Sequence, residues 1–232
     1  MAETITPIEF GERLDAGRLV LALVGMSNVG KTRRSKQLAK ELGFNHLDCD
    51  AMIEANLKTT LSALGYDGGI EDVARWMGQP YEPQYPQNEQ TYLDFEEATM
   101  RRVLDDLNMN YPSGNTVIDT TGSVVHLSPA IRKGLKAASV VVYLEATPAI
   151  QKELLARFIE KPKPLAWCGE YSPMVGEDLK AALIRCYPDL LARRGTLYAD
   201  MPHVTIPYEV SADLTGVNDF LQHVGSLLPT TS

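Results

Sequence analysis

The residues most able to do chemistry come early, at Gly25-Met26-Ser27-Asn28-Val29-Gly30-Lys31-Thr32, which fit the pattern G-x-x-x-x-G-K-[ST]. Glycines at both ends let the backbone curl so that its N–H groups face one centre, where a phosphate would sit. A helix opening at Lys31 adds the positive end of its dipole to the same centre. Lys31 is placed to reach the β- and γ-phosphates, and the Thr32 hydroxyl to bind Mg²⁺. Residues 25 to 32 together predict a site for a nucleoside triphosphate.

Carboxylates that could assist the metal stand at two places. Asp48 and Asp50, in Leu47-Asp48-Cys49-Asp50, follow a short β-rich run, and side-chain alternation points both the same way. Either could act on the metal, or serve as N-cap of a helix opening near Ala51, and Asp50 could do both. Asp119 closes the hydrophobic run Val117-Ile118-Asp119, as expected of a carboxylate near Mg²⁺. Its neighbours Thr120, Thr121 and Gly122 are also turn formers, so a turn role stays open.

These groups need a frame to hold them. Leu19 to Val24 is an uninterrupted apolar run, which suits a strand buried on both faces. Apolar spacing predicts a helix from Lys31 to Leu42, stopped by Gly43. Short strands are expected at Phe44 to Leu47, Thr116 to Asp119, Ser139 to Leu144 and Val204 to Ile206, with helices at 128–136, 148–158 and 214–227. Alternation of this kind predicts an α/β fold, three layers deep around a mostly parallel sheet. Residues 1–17, with Thr6 as N-cap and Pro7 at the first helical position, read as an N-terminal extension ahead of a single domain at 18–232. Two stretches lack periodicity: Trp76 to Tyr92, rich in Pro, Gln and Tyr, and Lys161 to Gly176, with three prolines. Both are expected to be long loops, of the sort that cover or line a site. Trp76, Tyr81 and Tyr85 would then either line an acceptor pocket or pack their loop down.

Composition narrows the classes. The chain has 232 residues, 44% of them hydrophobic, enough for a full core and against disorder. Twenty-two Lys and Arg against 30 Asp and Glu give a net charge of −8, which argues against nucleic-acid and membrane-surface partners. Three scattered cysteines and four dispersed histidines suggest neither a disulfide framework nor a structural zinc site. With no long apolar span and a polar, acidic start, the expectation is a cytoplasmic protein.

The landmarks taken in order resemble the shikimate kinase family of small P-loop kinases. Gly25 to Thr32 comes first, followed by Leu38-Ala-Lys-Glu-Leu-Gly43 and Leu47-Asp-Cys-Asp-Ala-Met-Ile-Glu54. Val117-Ile-Asp-Thr-Thr-Gly-Ser123 is similar to the stretch ending in that family's glycine triplet. Lys163-Pro-Leu165 resembles its lid signature, and Arg194-Gly-Thr-Leu-Tyr198 its Arg-x-x-Leu-Tyr element. The resemblance implies ATP and Mg²⁺ as cofactors, a substrate-binding flap within 51–110 (with an insertion at 76–92) and a lid at 159–178. Asp48 would hold the metal through water, and Asp50 would contact the reacting hydroxyl. Gly122 would approach phosphate or substrate, and Arg157 and Lys163 would face the adenine and the transferring phosphoryl group. Arg194 would grip a substrate carboxylate.

Departures from the family pattern concentrate on the acceptor. A carboxylate-binding arginine is replaced by Glu96 in Phe95-Glu96-Glu97, the glycine triplet has become Thr121-Gly122-Ser123, and Asp119 stands where a neutral residue is usual. Glu96 could face the pocket or point to solvent. The leading expectation is a kinase acting on a hydroxyl of a small metabolite other than shikimate. A hydroxylated amino acid could place its carboxylate on Arg194, its ammonium near Glu96 and its hydroxyl on Asp50. Two alternatives stay open: a nucleotide-binding regulatory protein without kinase activity, and a true shikimate kinase.

Overall fold

Five strands form one sheet in which every pairing is parallel, in the order β2-β3-β1-β4-β5. The computed structural model describes residues 5–109 and 113–230. Residues 1–4 of the expected N-terminal extension and residue 110 at the end of the expected flap lie outside them. The strands are β1 (Val20–Val24), β2 (Asn45–Asp48), β3 (Thr116–Asp119), β4 (Val140–Glu145) and β5 (Val204–Pro207). β1 is central and all five of its residues are buried, as a strand covered on both faces requires. From β1 the chain runs to one edge and then crosses to the other side. The carboxyl end of β1 is therefore where the connections diverge, and such a point is the usual ligand crevice of an open α/β sheet.

The helices follow from local chemistry. In α1 (Pro7–Asp15), Thr6 and Glu9 form a reciprocal capping box, and Phe10 is buried beside Gly225 of α10 (Val217–Leu227). α2 runs Lys31–Leu42 and ends at Gly43, whose φ of 68° is the left-handed conformation a helix stop favours. α3 (Cys49–Ala63) and α4 (Ile70–Met77) lead into α5 (Tyr85–Met109), which is 25 residues long. α6 (Pro129–Ala138) is capped by Ser128. α7 (Gln151–Glu160), α8 (Leu179–Tyr198) and α9 (Tyr208–Asp213) complete the set.

Three expectations are corrected. Most of Trp76 to Tyr92 is helical, because α4 runs to Met77 and α5 starts at Tyr85, leaving a loop only from Gly78 to Gln84. Pro86 falls in the first turn of α5, where its missing N–H is not needed. The helix after β2 opens at Cys49, and its cap is Asp48, whose carboxylate accepts the Ala51 N–H at 3.0 Å; Asp50 lies inside the helix. The C-terminal segment is two helices, α9 and α10, parted by Leu214 to Gly216. The expected irregular stretch between α7 and α8 is present from Lys161 to Asp178.

Candidate nucleotide and acceptor site

The phosphate-binding loop joins β1 to α2 and depends on unusual backbone angles. Gly25 has φ 143°, and a Cβ there would sit 2.5 Å from the Leu144 carbonyl oxygen, so only glycine fits. Asn28 and Gly30 also have positive φ, at 69° and 98°. Lys31 curls over the loop, its Nζ donating to the carbonyls of Gly25 (2.7 Å) and Met26 (3.0 Å). Burial lowers its ammonium to about 8, with Asp119 and Asp50 opposing the shift.

Above the loop lies a cleft of about 340 Å³. Ser27 to Arg34 line one side; Asp50, Arg157, Lys163, Tyr208 and Ser211 line the rest. Gly25 and Met26 lie beneath it as acceptors for Lys31. Arg157 reaches across from α7, donating to the Asn28 carbonyl at 3.1 Å and pairing with Glu153 at 2.5 Å. Arg34 donates to the carbonyls of Ser211 (2.9 Å) and Leu214 (2.8 Å), so α2 carries the segment that supplies Tyr208 and Ser211.

Asp50 lines the cleft, and two further acids stand at the neighbouring strand ends. β2 and β3 pair in register with Asp48 opposite Asp119, and His46 Nε2 is 3.4 Å from Asp119 Oδ2. Asp119 is buried; desolvation raises its carboxyl, with Lys31 the main opposing influence and the Thr32 side chain a further one. Asp50 is half-buried and accepts the Tyr92 hydroxyl at 3.3 Å. Burial pushes its carboxyl up to about 6, and Lys31 holds it back. A carboxyl near that value can take up and release a proton near neutral pH.

Glu96, Gly122 and Arg194, expected from the sequence to meet the substrate, form a separate, closed cluster. Glu96 does not point to solvent: it is fully buried, and its two oxygens accept the hydroxyls of Thr121 and of Ser123 (2.6 Å). Burial raises its carboxyl to about 7 despite those donors. Arg194, 1% exposed, gives Nη1 to the Gly122 carbonyl (2.8 Å), Nη2 to the Ala166 carbonyl (2.5 Å) and Nε to His126 (3.2 Å). The Gly122 carbonyl also receives the Tyr198 hydroxyl at 2.9 Å. A Cβ on Gly122 would lie 2.9 Å from Ser27 Oγ, so glycine lets this loop abut the phosphate-binding loop.

The segment after α7 closes over this cluster. Lys163 lines the nucleotide cleft, while Leu165, Ala166 and Trp167 are buried. The Tyr85 hydroxyl accepts the Trp167 N–H at 2.8 Å and lies 2.8 Å from the Leu165 carbonyl. Glu89 accepts the Cys168 N–H at 2.9 Å. Trp76 and Tyr85 are thus packing residues, and Tyr81 stands 6.2 Å from the Tyr171 ring.

Lys31, Thr32, Asp50, Arg157 and Lys163 therefore share one cleft, with Asp119 near Lys31 and Asp48 opposite Asp119 in the strand register, whereas Glu96, Gly122 and Arg194 bond to one another's surroundings. A shikimate kinase from Actinobacillus succinogenes is 30% identical to the chain over 185 residues, 80% of this chain and 83% of that protein. The chain belongs to the shikimate kinase family. A shikimate kinase from Haemophilus influenzae is 25% identical over 205 residues, covering 88% and 92% of the two chains. The fold agrees with that of the shikimate kinase from Acinetobacter baumannii in complex with shikimate (TM-score 0.57, 21% identity, 93% and 94% covered). It agrees equally with the one from Bacteroides thetaiotaomicron (TM-score 0.57, 16% identity, 90% and 98% covered). No protein-family profile matches the sequence. Against this shikimate kinase frame, the sequence reading missed His46, Tyr92, Tyr208 and Ser211. His46 had a usable signal, since it stands two residues before Asp48 on a strand and so faces the same side. Tyr208 and Ser211 had none, being placed by Arg34 across 177 residues.

Proposed function

We propose that the protein is an ATP-dependent kinase that phosphorylates a hydroxyl of a small metabolite other than shikimate. The observation that carries this is the shared cleft: Lys31, Arg157 and Lys163 converge with Asp50 above a phosphate-binding loop. Transfer would form a bond from the acceptor oxygen to the γ-phosphorus and break the bond to the β,γ-bridging oxygen, releasing ADP. Asp50 would orient the attacking hydroxyl and take its proton, while Lys31 and Lys163 offset charge on the phosphates. Thr32, Asp48 and Asp119 offer oxygen donors at the phosphate end, a set that suits a hard divalent cation. Bound there, Mg²⁺ would neutralise the β- and γ-oxygens.

The acceptor reading rests on Glu96. Glu96 accepts two hydroxyls, and the family resemblance sets it where a carboxylate-binding arginine is usual, a change that would disfavour a purely anionic acceptor. The donors of Arg194 are also engaged by backbone carbonyls and His126, so gripping a carboxylate would require it to release them. An acceptor bearing both charges, such as a hydroxylated amino acid, fits this balance better. The test is ADP formation from ATP and Mg²⁺ with serine, threonine, homoserine and shikimate as acceptors. Turnover with a hydroxy-amino acid and not with shikimate is expected; efficient use of shikimate would overturn the acceptor assignment, and no turnover with any hydroxylated metabolite would overturn the kinase.

A further inference from the structure

At the carboxyl ends of β2 and β3, His46, Asp48 and Asp119 bring a ring nitrogen and two carboxylate oxygens within 4.8 Å of one another. Two features make this more than an acidic patch. The strand register places Asp48 directly opposite Asp119, and His46, two residues earlier on β2, shares the side of Asp48. The Thr32 side chain is close enough to the same Asp119 to favour its charged form, which ties the cluster to the mouth of the phosphate-binding loop. Asp119 is 3% exposed, and besides the influence of Lys31 the groups near it are an imidazole, a hydroxyl and another carboxylate. Two carboxylates held this close repel, and a divalent cation between them would remove that repulsion.

We propose that His46, Asp48 and Asp119 bind a divalent transition ion directly, through one imidazole nitrogen and two carboxylate oxygens, with Thr32 beside it. An imidazole joined to carboxylates favours Mn²⁺, Co²⁺ or Zn²⁺ over Mg²⁺, which prefers oxygen ligands and keeps its waters. Asp119 is close to Lys31 and Thr32 of the phosphate-binding loop, so an ion held by the three groups would sit at the phosphate end with coordination positions left for phosphate oxygens. The proposal shares Asp48 and Asp119 with the kinase reading. Binding measured without nucleotide separates the two, because its failure leaves phosphoryl transfer untouched.

The test is Mn²⁺ alone, titrated into the full chain and followed by electron paramagnetic resonance. One ion per chain is expected, with a nitrogen coupling in the spin-echo spectrum that changes when histidine is labelled with ¹⁵N. The three other histidines are separable: His126 lies against Arg194, His203 Nδ1 accepts the Val141 N–H, and a His223→Gln control on α10 removes the third. His46→Gln should weaken Mn²⁺ at least about tenfold while Mg²⁺ affinity changes little. The wild-type labelling experiment needs no variant, so misfolding of His46→Gln cannot obscure the answer. Absence of Mn²⁺ binding, bound Mn²⁺ without nitrogen coupling, or equal affinity in a folded His46→Gln would each overturn the proposal and leave His46 as a plain hydrogen-bond partner of Asp119.

Discussion

The loop after β1 and the loop after β3 touch each other, with Gly122 against Ser27, yet they are built on opposite terms. In the first, recognition rests on backbone: Gly25, Asn28 and Gly30 hold positive φ, and the side chains beside them open onto a cleft. In the second, recognition rests on side chains that face inward. Glu96 takes its hydrogen bonds from Thr121 and Ser123, and Arg194 gives its own to Gly122, Ala166 and His126. A backbone cradle tolerates little substitution, because each replacement must meet the same φ and the same clearance. A side-chain pocket can be exchanged as a set. Here the Glu96 carboxyl is held by two hydroxyls that satisfy it, which is what keeps a buried acid tolerable.

The sharpest way to break the comparison is at the cradle. Lys31→Ala should lower kcat/KM for ATP by at least about 100-fold, since a cation aimed at the transferring phosphates is lost. Titration calorimetry with a non-hydrolysable ATP analogue checks the binding share; unchanged affinity and rate would remove the phosphate-loop assignment.

Glu96 gives the next effect, on stability. Its folded-state value, raised from 4.5 to about 7, means the native protein holds that proton more tightly than the unfolded chain. Its contribution is thus most favourable at low pH and is lost as pH rises through about 7, by up to about 3 kcal/mol. Glu96→Gln stays neutral, so its unfolding free energy should fall less than wild type's between pH 5 and pH 8. Identical pH dependence in urea titrations would mean the carboxyl is ionised throughout.

A smaller effect is expected over the cluster. Tyr85→Phe removes the acceptor of the Trp167 N–H and should cost about 1 kcal/mol. Hydrogen exchange should quicken at 165–168 and stay unchanged at the phosphate-binding loop. In the wild type, the analogue with Mg²⁺ should slow exchange across 161–178 if that segment closes as a lid. Equal exchange with and without nucleotide would count against closure.

How far these regions could be read from sequence differs in the same way. The cradle was legible because its requirements are local: a β-rich run, two glycines and Lys31-Thr32 at a helix start. The helix from Lys31 to Leu42 follows from apolar spacing and Gly43 alone. α5 was not legible at its start, because its buried face is made of Tyr85, Tyr92, Glu96 and Thr99, which carry little apolar periodicity, and because three prolines cluster at 80, 83 and 86. The orientation of Glu96 is set by hydroxyls 25 and 27 residues away, beyond any local pattern. Of the two possible caps, Asp48 is the one used, because the helix starts two residues earlier than the expected opening at Ala51.

The account as a whole turns on whether the acceptor side has changed while the phosphate side has not. The direct measurement is steady-state kinetics of the wild type with ATP and Mg²⁺, comparing shikimate with serine, threonine and homoserine, alongside Glu96→Gln. ATP turnover that depends on a hydroxy-amino acid, with shikimate at the background rate, is the predicted result. Efficient phosphorylation of shikimate by the wild type, unaltered in Glu96→Gln, would contradict it.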